Sequence, residues 1–208
     1  AYSFATIFEM MLNHQSIQTL QLSSLKLRDL EFLAPVLKSN NVLKELDLRG
    51  NSFSQSNISK LFQLLCFNKT LKTLNLTSNS SPAVHGQRRN QFNCFENLKF
   101  VYLQHINLSH CGIHSESLGQ LFESLKSNIY LKSLNVSGSN LNSKDVGFIV
   151  SYCAFNPKLS KLILRTSDFS ESDIGTILKS LKNNTNIKIL DFRFGVSYTK
   201  KEALSFAE

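Results

Sequence analysis

"LKELDLRGNSF", residues 43–53, is the stretch of sequence that decides the fold. Leu43, Leu46 and Leu48 are three and two positions apart, and Asn51 follows three positions later. Apolar residues recur about every 3.6 positions in an amphipathic helix and about every two positions in a half-buried strand. The stretch follows neither period throughout. It therefore predicts a short strand around Leu46 that is followed at once by a turn containing Asn51.

The same pattern recurs along the chain at nearly constant spacing. Its successive starts are 26, 28, 32, 28, 28 and 28 residues apart. A fixed period between about 20 and 50 residues is typical of repeat proteins. The sequence therefore predicts about seven repeats. They start at Ile17, Leu43, Leu71, Leu103, Leu131, Leu159 and Ile187.

Each pattern is followed by the periodicity of an amphipathic helix. In the second repeat the apolar residues Ile58, Leu61 and Leu65 are three and four positions apart. An asparagine stands three positions before most of the next patterns. We expect it to end the helix in the left-handed conformation, which asparagine tolerates. The asparagines at this position are Asn40, Asn68, Asn128, Asn156 and Asn184.

A unit of strand, turn and helix cannot bury its apolar residues alone, whereas stacked units bury them against each other. We therefore expect an α/β solenoid with parallel strands on the concave face and helices on the convex face. The Asn51 side chain is placed to pair backbone groups of adjacent turns. Only Asn51 and Asn79 occupy this position, so we expect an incomplete ladder. The other turns have Leu25, Cys111, Ser139, Ser167 and Gly195 there.

The repeated pattern resembles LxxLxLxxN/CxL, the motif of leucine-rich repeats. The 28-residue spacing and the full helix resemble the ribonuclease-inhibitor-like subfamily. The resemblance covers nearly the whole chain and implies a horseshoe-shaped solenoid. It also implies a non-enzymatic protein–protein interaction module, such as an intracellular scaffold or regulator, without a cofactor.

The whole chain, residues 1–208, is predicted to form a single domain of such repeats. Phe4 and Ile7 fit the helix of a repeat that starts before residue 1, and no polar cap is visible at either end. We therefore expect a fragment of a longer chain. The alternative is a chain that self-associates through its uncapped ends.

An irregular insertion, residues 80–97, accounts for the longest spacing between repeats. Pro82, Gly86 and a polar run indicate a loop in place of the usual helix. Loops on solenoids often bind partners, and this one contains Arg88 and Arg89. The simpler alternative is a tolerated insertion whose phenylalanines replace the helix core. These phenylalanines are Phe92, Phe95 and Phe100.

The stretch "LQHINLSHCGIHSESL", residues 103–118, is similar to a repeat of the CARMIL family, regulators of actin capping protein. In that family an extended segment likewise precedes an "INLS" strand. The resemblance implies a link to the actin cytoskeleton. The segment by which those proteins contact capping protein lies outside their repeats, and nothing in this chain corresponds to it.

Enzymatic function finds no support in the sequence. It contains no P-loop and no GxGxxG, GxSxG or HExxH motif, so we expect no catalytic residue and no cofactor. The densest set of metal-ligating residue types is His105, His110, Cys111 and His114. The repeat geometry sends these side chains in different directions, so we expect no metal site. The alternative function is a GTPase-activating protein resembling the Ran activators, which share this repeat type. Those proteins usually carry a long acidic tail, which is missing here.

Charge and cysteine usage limit the partners further. The net charge is +8, but the predicted concave face has four cations and three anions, so we do not expect nucleic acid to bind there. No run of about 18 apolar residues suggests a membrane span. The four cysteines show no paired spacing, which indicates reduced thiols and a cytoplasmic location. One repeat position carries lysines that should form a ridge, which either meets an acidic partner or is simply solvated. They are Lys44, Lys72, Lys132 and Lys188.

A protein partner of unknown identity is expected on the concave face, because side chains from many repeats converge only there. Arg49 would offer a paired-donor fork to a carboxylate of the partner. The arginines of the insertion would close over the edge. The predicted partner-binding residues are Asp47, Arg49, Asn75, Asn107, Asn135, Arg165 and Arg193, together with Arg88 and Arg89.

Overall fold

A computed structural model describes residues 14, 16–27, 29–79, 95–113, 115–165 and 167–192. Within these residues seven three-residue strands form one parallel sheet, and each strand pairs with its neighbours in chain order. The strands are β1 (Thr19–Gln21), β2 (Glu45–Asp47), β3 (Thr73–Asn75), β4 (His105–Asn107), β5 (Ser133–Asn135), β6 (Lys161–Ile163) and β7 (Ile189–Asp191).

Helices follow the strands in turn, and the described residues contain five α-helices. The region before β4 contains a short 3₁₀ helix, Glu96–Phe100, and another, Ser143–Asp145, leads into the fourth α-helix. No helix in the described part of the chain has the length and apolar character needed to cross a membrane. The helices are α1 (Leu33–Ser39), α2 (Gln55–Leu65), α3 (Ser115–Lys126), α4 (Val146–Phe155) and α5 (Glu171–Ser180).

The core lies between the sheet and the helices. In β2 the residues Glu45 and Asp47 face outward, while Leu46 between them is buried. Leu46 pairs in register with Leu74, and the central residues of the later strands continue this row. The predicted helix face, including Leu61, packs in the same core. The predicted α/β leucine-rich solenoid is therefore confirmed.

Asparagine side chains hold the turns after β2 and β3 in a ladder, which we call the turn ladder. The Oδ1 atom of Asn51 accepts hydrogen bonds from the backbone N–H groups of Leu25 and Leu27 at 3.0 and 3.2 Å. Its Nδ2 atom donates to the carbonyls of Leu22 and Leu48 at 2.7 and 2.9 Å. One carboxamide thus pairs four backbone groups of two adjacent repeats, as the sequence predicted.

Asn79 provides the next rung in the same way, but the later rungs are weaker. Cys111 donates its thiol to the Leu76 carbonyl at 2.9 Å. The hydroxyl of Ser139 is buried and has no hydrogen-bond partner among the described residues. The hydroxyl of Ser167 donates to the Leu164 carbonyl of its own turn. The carboxamide rungs of the turn ladder are therefore limited to Asn51 and Asn79, in the N-terminal half of the solenoid.

The asparagines at the helix ends form a second ladder, which we call the helix-end ladder. The left-handed conformation predicted for them is wrong: Asn40 has φ −74° and ψ 123°, and Asn156 has φ −83° and ψ 112°. The positive φ angles occur instead in the turns after the strands, for example at Ser52 and Ser78. The extended backbone leaves each asparagine side chain free to reach the preceding repeat.

Asn128 shows what these side chains do. Its Nδ2 atom donates to the carbonyls of Leu98 and Val101 in the preceding repeat at 2.7 and 3.0 Å. Its Oδ1 atom accepts from the N–H groups of Tyr130 and Leu131 at 2.9 and 3.0 Å. The carboxamide therefore satisfies carbonyls at the end of one repeat and the chain that leads into the next strand. Equivalent bonds to the preceding repeat are made by Asn68, Asn156 and Asn184.

The helix-end ladder is interrupted in the repeat that contains the insertion. Phe100 occupies the asparagine position there and is exposed, so the expectation that it joins the core is wrong. Phe95 is buried and packs against Phe62 with ring centroids 6.3 Å apart, as expected for a substitute of the helix core. Most of the insertion, residues 80–94, lies outside the described residues, and Arg88 and Arg89 with it.

The first prediction tests the register of the core. Leu134 is 0% exposed at the centre of β5, and Leu134→Ala should lower the free energy of unfolding by about 2–5 kcal/mol because a cavity remains between repeats. Chemical denaturation measures the change. Leu178→Ala, at a site 45% exposed on α5, is the matched control and should cost about 1 kcal/mol or less. Equal losses in the two variants would contradict the register.

The second prediction tests the helix-end ladder. Asn128→Ala should lower the free energy of unfolding by about 2–4 kcal/mol, because it leaves buried carbonyl and N–H groups unpaired. Asn186→Ala removes an exposed carboxamide from the equivalent connection of a later repeat and serves as the control. Thermal and urea denaturation compare the two variants. An Asn128→Ala variant as stable as the control would show that the ladder contributes nothing.

Candidate protein-binding surface

The outward positions of the three central strands carry uncharged polar side chains at equivalent places. Asn75, Asn107 and Asn135 are partners in register across β3, β4 and β5. Two residues after each asparagine stands a hydroxyl residue. We call these six residues the amide strip: Asn75, Asn107 and Asn135 with Thr77, Ser109 and Ser137.

Each asparagine of the amide strip is held by the two donors that follow it. The Oδ1 atom of Asn107 accepts the backbone N–H of Ser109 at 3.0 Å and its hydroxyl at 2.8 Å. The other two asparagines make the same pair of bonds within 2.7–3.0 Å. Because both partners are donors, the oxygen of each carboxamide must face them. Each side-chain orientation is therefore fixed.

The amide strip consequently exposes a defined set of hydrogen-bonding groups. The Oδ1 atoms are occupied, so the half-buried carboxamides offer their NH₂ groups outward, while the hydroxyl residues Ser109 and Ser137 are buried beneath them. Adjacent strands of a sheet are about 4.8 Å apart, so the three NH₂ groups form a row with that spacing. The hydroxyls of Thr77 and Ser109 also approach each other to 3.1 Å, which joins neighbouring repeats. Such a row suits oxygen acceptors on a partner.

Two arginine–aspartate pairs border the amide strip. The Nε atom of Arg49 lies 3.1 Å from Oδ2 of Asp47. On the other side, Arg165 donates from Nε and Nη2 to Oδ2 of Asp191 at 2.8 and 2.6 Å. That Arg49 offers a paired-donor fork to a partner stays a prediction. Its Nε atom already contacts the carboxylate of Asp47, two residues earlier, and a fork that uses Nε would have to displace this carboxylate. The borders of the strip are neutralised in the same way.

His105 lies on the same face of β4, two residues before Asn107. Partial burial lowers its pKa, and the positive charges of Lys132 and Lys161 lower it further, while Glu45 acts in the opposite direction. With its pKa below the ordinary value, the imidazole is uncharged at pH 7. His105 therefore adds a neutral donor and acceptor to this surface rather than a cation.

The buried thiols have no features of a reactive site. Burial raises the pKa of Cys111 to about 11 and that of Cys153 to about 12. Both thiols are thus protonated at neutral pH and are weak nucleophiles. In the described residues no group of three or more histidine, cysteine, aspartate or glutamate side chains is placed to hold a metal.

The structure places some of the predicted partner-binding residues together, while others lie outside the residues it describes. The structure brings Asn75, Asn107 and Asn135 together in one row beside Asp47 and Arg49. Arg165 borders the opposite side of that row. The remaining three arginines, Arg88, Arg89 and Arg193, lie outside the described residues.

Sequence reasoning missed the role of the hydroxyl residues. Thr77, Ser109 and Ser137 orient the asparagines, and no prediction named them as part of the site. The signal was present, because Asn-x-Ser/Thr recurs at one fixed position of three consecutive repeats. Asp191 was missed as well, although its register partner stands two residues before Arg165 in the preceding repeat.

Comparisons with known proteins agree with this architecture. A family model described as Leucine Rich Repeat matches residues 42–64 and 102–127. A solved structure of the tropomodulin C-terminal domain from Caenorhabditis elegans superposes with a TM-score of 0.50 at 13% identity, and the match covers 88% of this chain and 93% of that chain. The structure of leiomodin-1 actin-binding site 2 gives a TM-score of 0.49 at 18% identity and covers 88% of this chain and 91% of that chain. No curated protein matches the sequence.

The repeated motif, the single parallel sheet and the two matched stretches together define the class of fold: the chain is an α/β solenoid of the leucine-rich repeat type. At 13% identity the tropomodulin domain shows a shared fold alone.

The third prediction concerns the charge of His105. Lys132→Gln should raise the pKa of His105, because it removes a positive charge, and Glu45→Gln should lower it. NMR titration of the imidazole ring measures both shifts. Lys144→Gln removes a lysine that does not act on His105 and is the control. A shift in the control as large as that in Lys132→Gln would contradict the local origin of the effect.

Proposed function

We propose that the chain is a non-enzymatic protein-binding module and that the amide strip is the centre of its binding surface. The observation that carries the proposal is the fixed row of carboxamides in Asn75, Asn107 and Asn135. Each is held by a backbone N–H and a hydroxyl, so its NH₂ group keeps one direction.

Preorganisation supports binding at this place. Ordering a side chain on association costs about 0.5–1.5 kcal/mol, and the asparagines of the amide strip are already ordered. They also stand on strands of a continuous sheet rather than on loops. A partner that presents carbonyl or carboxylate oxygens at matching spacing would therefore bind with little loss of conformational entropy.

The charge of the surface narrows the partner further. Asp47 and Asp191 are each paired with an arginine, so the strip between them is close to neutral. A neutral surface of carboxamide donors favours a folded protein or an extended peptide over a polyanion. Arg49 and Arg165 belong to the rim, where each would have to exchange its aspartate for a group of the partner.

A cytoskeletal and cytoplasmic role is part of the proposal and rests on the resemblance of residues 103–118 to the CARMIL repeats. Catalysis is not supported by the geometry, because the hydroxyls of the amide strip donate to asparagine oxygens rather than to a base. A GTP-turnover assay with small GTPases tests the alternative that the chain is a GTPase-activating protein.

The fourth prediction tests the proposal by Asn→Asp substitution. Asp47 occupies the equivalent strand position and accepts the same hydrogen bond from the N–H two residues later, at 3.1 Å. The combined variant Asn75→Asp, Asn107→Asp and Asn135→Asp should therefore fold, while it replaces three donors by three acceptors. It should lose at least tenfold in affinity for the partner, about 1.4 kcal/mol or more.

The binding measurement has two arms. Actin filaments and capping protein are tested directly by co-sedimentation and by fluorescence titration. Other partners are identified by cross-linking and mass spectrometry of extracts, and are then titrated as purified proteins. Lys179→Ala, an exposed site on α5, is the convex-side control and should bind like the parent.

Two results would overturn the proposal. One is a partner that the triple aspartate variant binds unchanged while Lys179→Ala loses it, which would move the site to the helices. The other is faster GTP hydrolysis by a small GTPase when the chain is added, which would favour the enzymatic alternative.

A further inference from the structure

The edge of the solenoid where helices end and strands begin has a composition unlike the rest of the chain. Because the strands are parallel and in register, the connections from each helix to the next strand lie side by side along this edge. Backbone bonds join them directly, for example Lys72 N–H to Lys44 O at 2.7 Å and Lys132 N–H to Gln104 O at 2.8 Å. We call it the helix-end edge, and it comprises residues 38–44, 66–72, 98–104, 126–132, 154–160 and 182–188.

All the charge on the helix-end edge has one sign and one side-chain type. Its six segments contain ten lysines and no arginine, aspartate or glutamate. The whole chain has 23 basic and 15 acidic residues, so the remainder of the chain holds 13 basic against 15 acidic residues. The net charge of +8 therefore originates from this edge. The lysines are Lys38, Lys44, Lys69, Lys72, Lys99, Lys126, Lys132, Lys158, Lys182 and Lys188.

Most of these lysines face solvent. Eight are exposed, and Lys72 and Lys126 are half-buried. Among the described residues Lys126 pairs with Glu123 of its own helix, and no other lysine of this edge belongs to an ion pair. Lysines at helix ends complement the helix dipole, but this does not explain Lys44 and Lys132, which stand directly before the strands. The edge therefore carries more positive charge than its helices need.

Large apolar side chains protrude from the same edge. Phe67 is 72% exposed, Phe155 69%, Phe100 56%, Ile129 55% and Tyr130 40%. Exposed side chains of this size on one edge indicate a contact surface. They account for five of the nine large apolar residues that are exposed in the described part of the chain.

The apolar and cationic side chains are interleaved. The ammonium group of Lys99 lies 4.9 Å from the centre of the Phe100 ring. That of Lys126 lies 5.8 Å from the ring of Phe155, the same distance as that between Lys69 and Tyr102. A partner that binds the helix-end edge must therefore accommodate positive charges and apolar side chains at neighbouring positions.

We propose that the helix-end edge docks on the surface of an anionic lipid bilayer. The lysines lie at the level of the anionic headgroups, while the phenylalanines and Ile129 enter the boundary between headgroups and acyl chains. A bilayer adapts to side chains that protrude singly, so no matching pockets are needed. The proposed protein-binding face, on the strands, stays accessible in this orientation.

The side-chain chemistry favours lipid over the two other anionic partners. Protein interfaces are enriched in arginine and depleted in lysine, because the guanidinium binds a carboxylate through two donors. Nucleic-acid surfaces likewise use arginine for phosphate forks and for base contacts. The helix-end edge has no arginine at all, which argues against both. Its four exposed aromatic rings also suit stacking on bases, so single-stranded RNA is tested against vesicles in the experiment below.

The fifth prediction is a vesicle experiment with the 208-residue chain. Co-sedimentation compares vesicles of phosphatidylcholine alone with vesicles of phosphatidylcholine and phosphatidylserine. Binding should require phosphatidylserine and should weaken as salt is raised. Lys69→Gln, Lys99→Gln and Lys158→Gln combined should reduce partitioning about tenfold or more. The control removes the same charge elsewhere, as Lys60→Gln, Lys144→Gln and Lys179→Gln combined, and should retain most of the binding.

A second pair of variants tests the apolar contribution. Phe67→Ser and Phe155→Ser combined should reduce partitioning severalfold at high salt, where the electrostatic attraction is screened. Leu178→Ser on α5 is the apolar control and should leave partitioning unchanged. All these sites are exposed, and circular dichroism confirms that each variant is folded.

Three outcomes would overturn the proposal. The first is no binding to phosphatidylserine vesicles at low salt. The second is an equal loss of binding in the two lysine triples, which would show a net-charge effect. The third is tighter, lysine-triple-dependent binding to poly-glutamate or to single-stranded RNA than to vesicles, which would assign the edge to an acidic protein or to nucleic acid.

Discussion

Stacking of repeats buries backbone groups that no single repeat can pair, and asparagine carboxamides pair them across the boundary. Asn51 binds the N–H groups and a carbonyl of the preceding turn, and Asn128 binds two carbonyls at the end of the preceding repeat. A carboxamide is suited to this place because one end donates and the other accepts. The leucines provide the driving force for stacking, while the asparagines fix how one repeat is placed on the next.

Asparagine also recurs on the outward face of the sheet, but there its carboxamide bonds within its own repeat. The Oδ1 atom of Asn107 accepts hydrogen bonds from Ser109 of its own repeat, which leaves its NH₂ group directed outward. The sheet register then multiplies one local arrangement into a row, because Asn75 and Asn135 occupy equivalent places. The helix-end edge follows the same logic, since one connection rich in lysine becomes a continuous cationic edge when repeats stack. Because the repeats stack in register, residues that recur at one repeat position form a continuous surface.

The sequence predicted the features that depend on spacing and not those that depend on contacts between repeats. The inward direction of Leu46 and the row of outward asparagines follow from the period, and both were predicted. The conformation of Asn156 was predicted wrongly, because local capping rules do not show that its carboxamide reaches the preceding repeat. The pairing of Arg49 with Asp47 was overlooked, although the two residues are only two positions apart. The exposure of Phe100 could not be predicted, since the spacing did not show that a short 3₁₀ helix, Glu96–Phe100, would end there.

Native-state hydrogen exchange tests most directly whether carboxamides couple neighbouring repeats. The amides of Asn51 and Phe53 donate to the carboxamide of Asn79, at 3.0 and 3.4 Å, whereas the equivalent amides of Cys111 and Ile113 make no hydrogen bond to the hydroxyl of Ser139, which stands at the corresponding position. If the carboxamides hold the turns together, the first pair should exchange much more slowly than the second, although it lies nearer to an end of the solenoid. Fraying from the ends alone predicts the opposite order. Equal rates, or faster exchange at Asn51 and Phe53, would contradict the coupling.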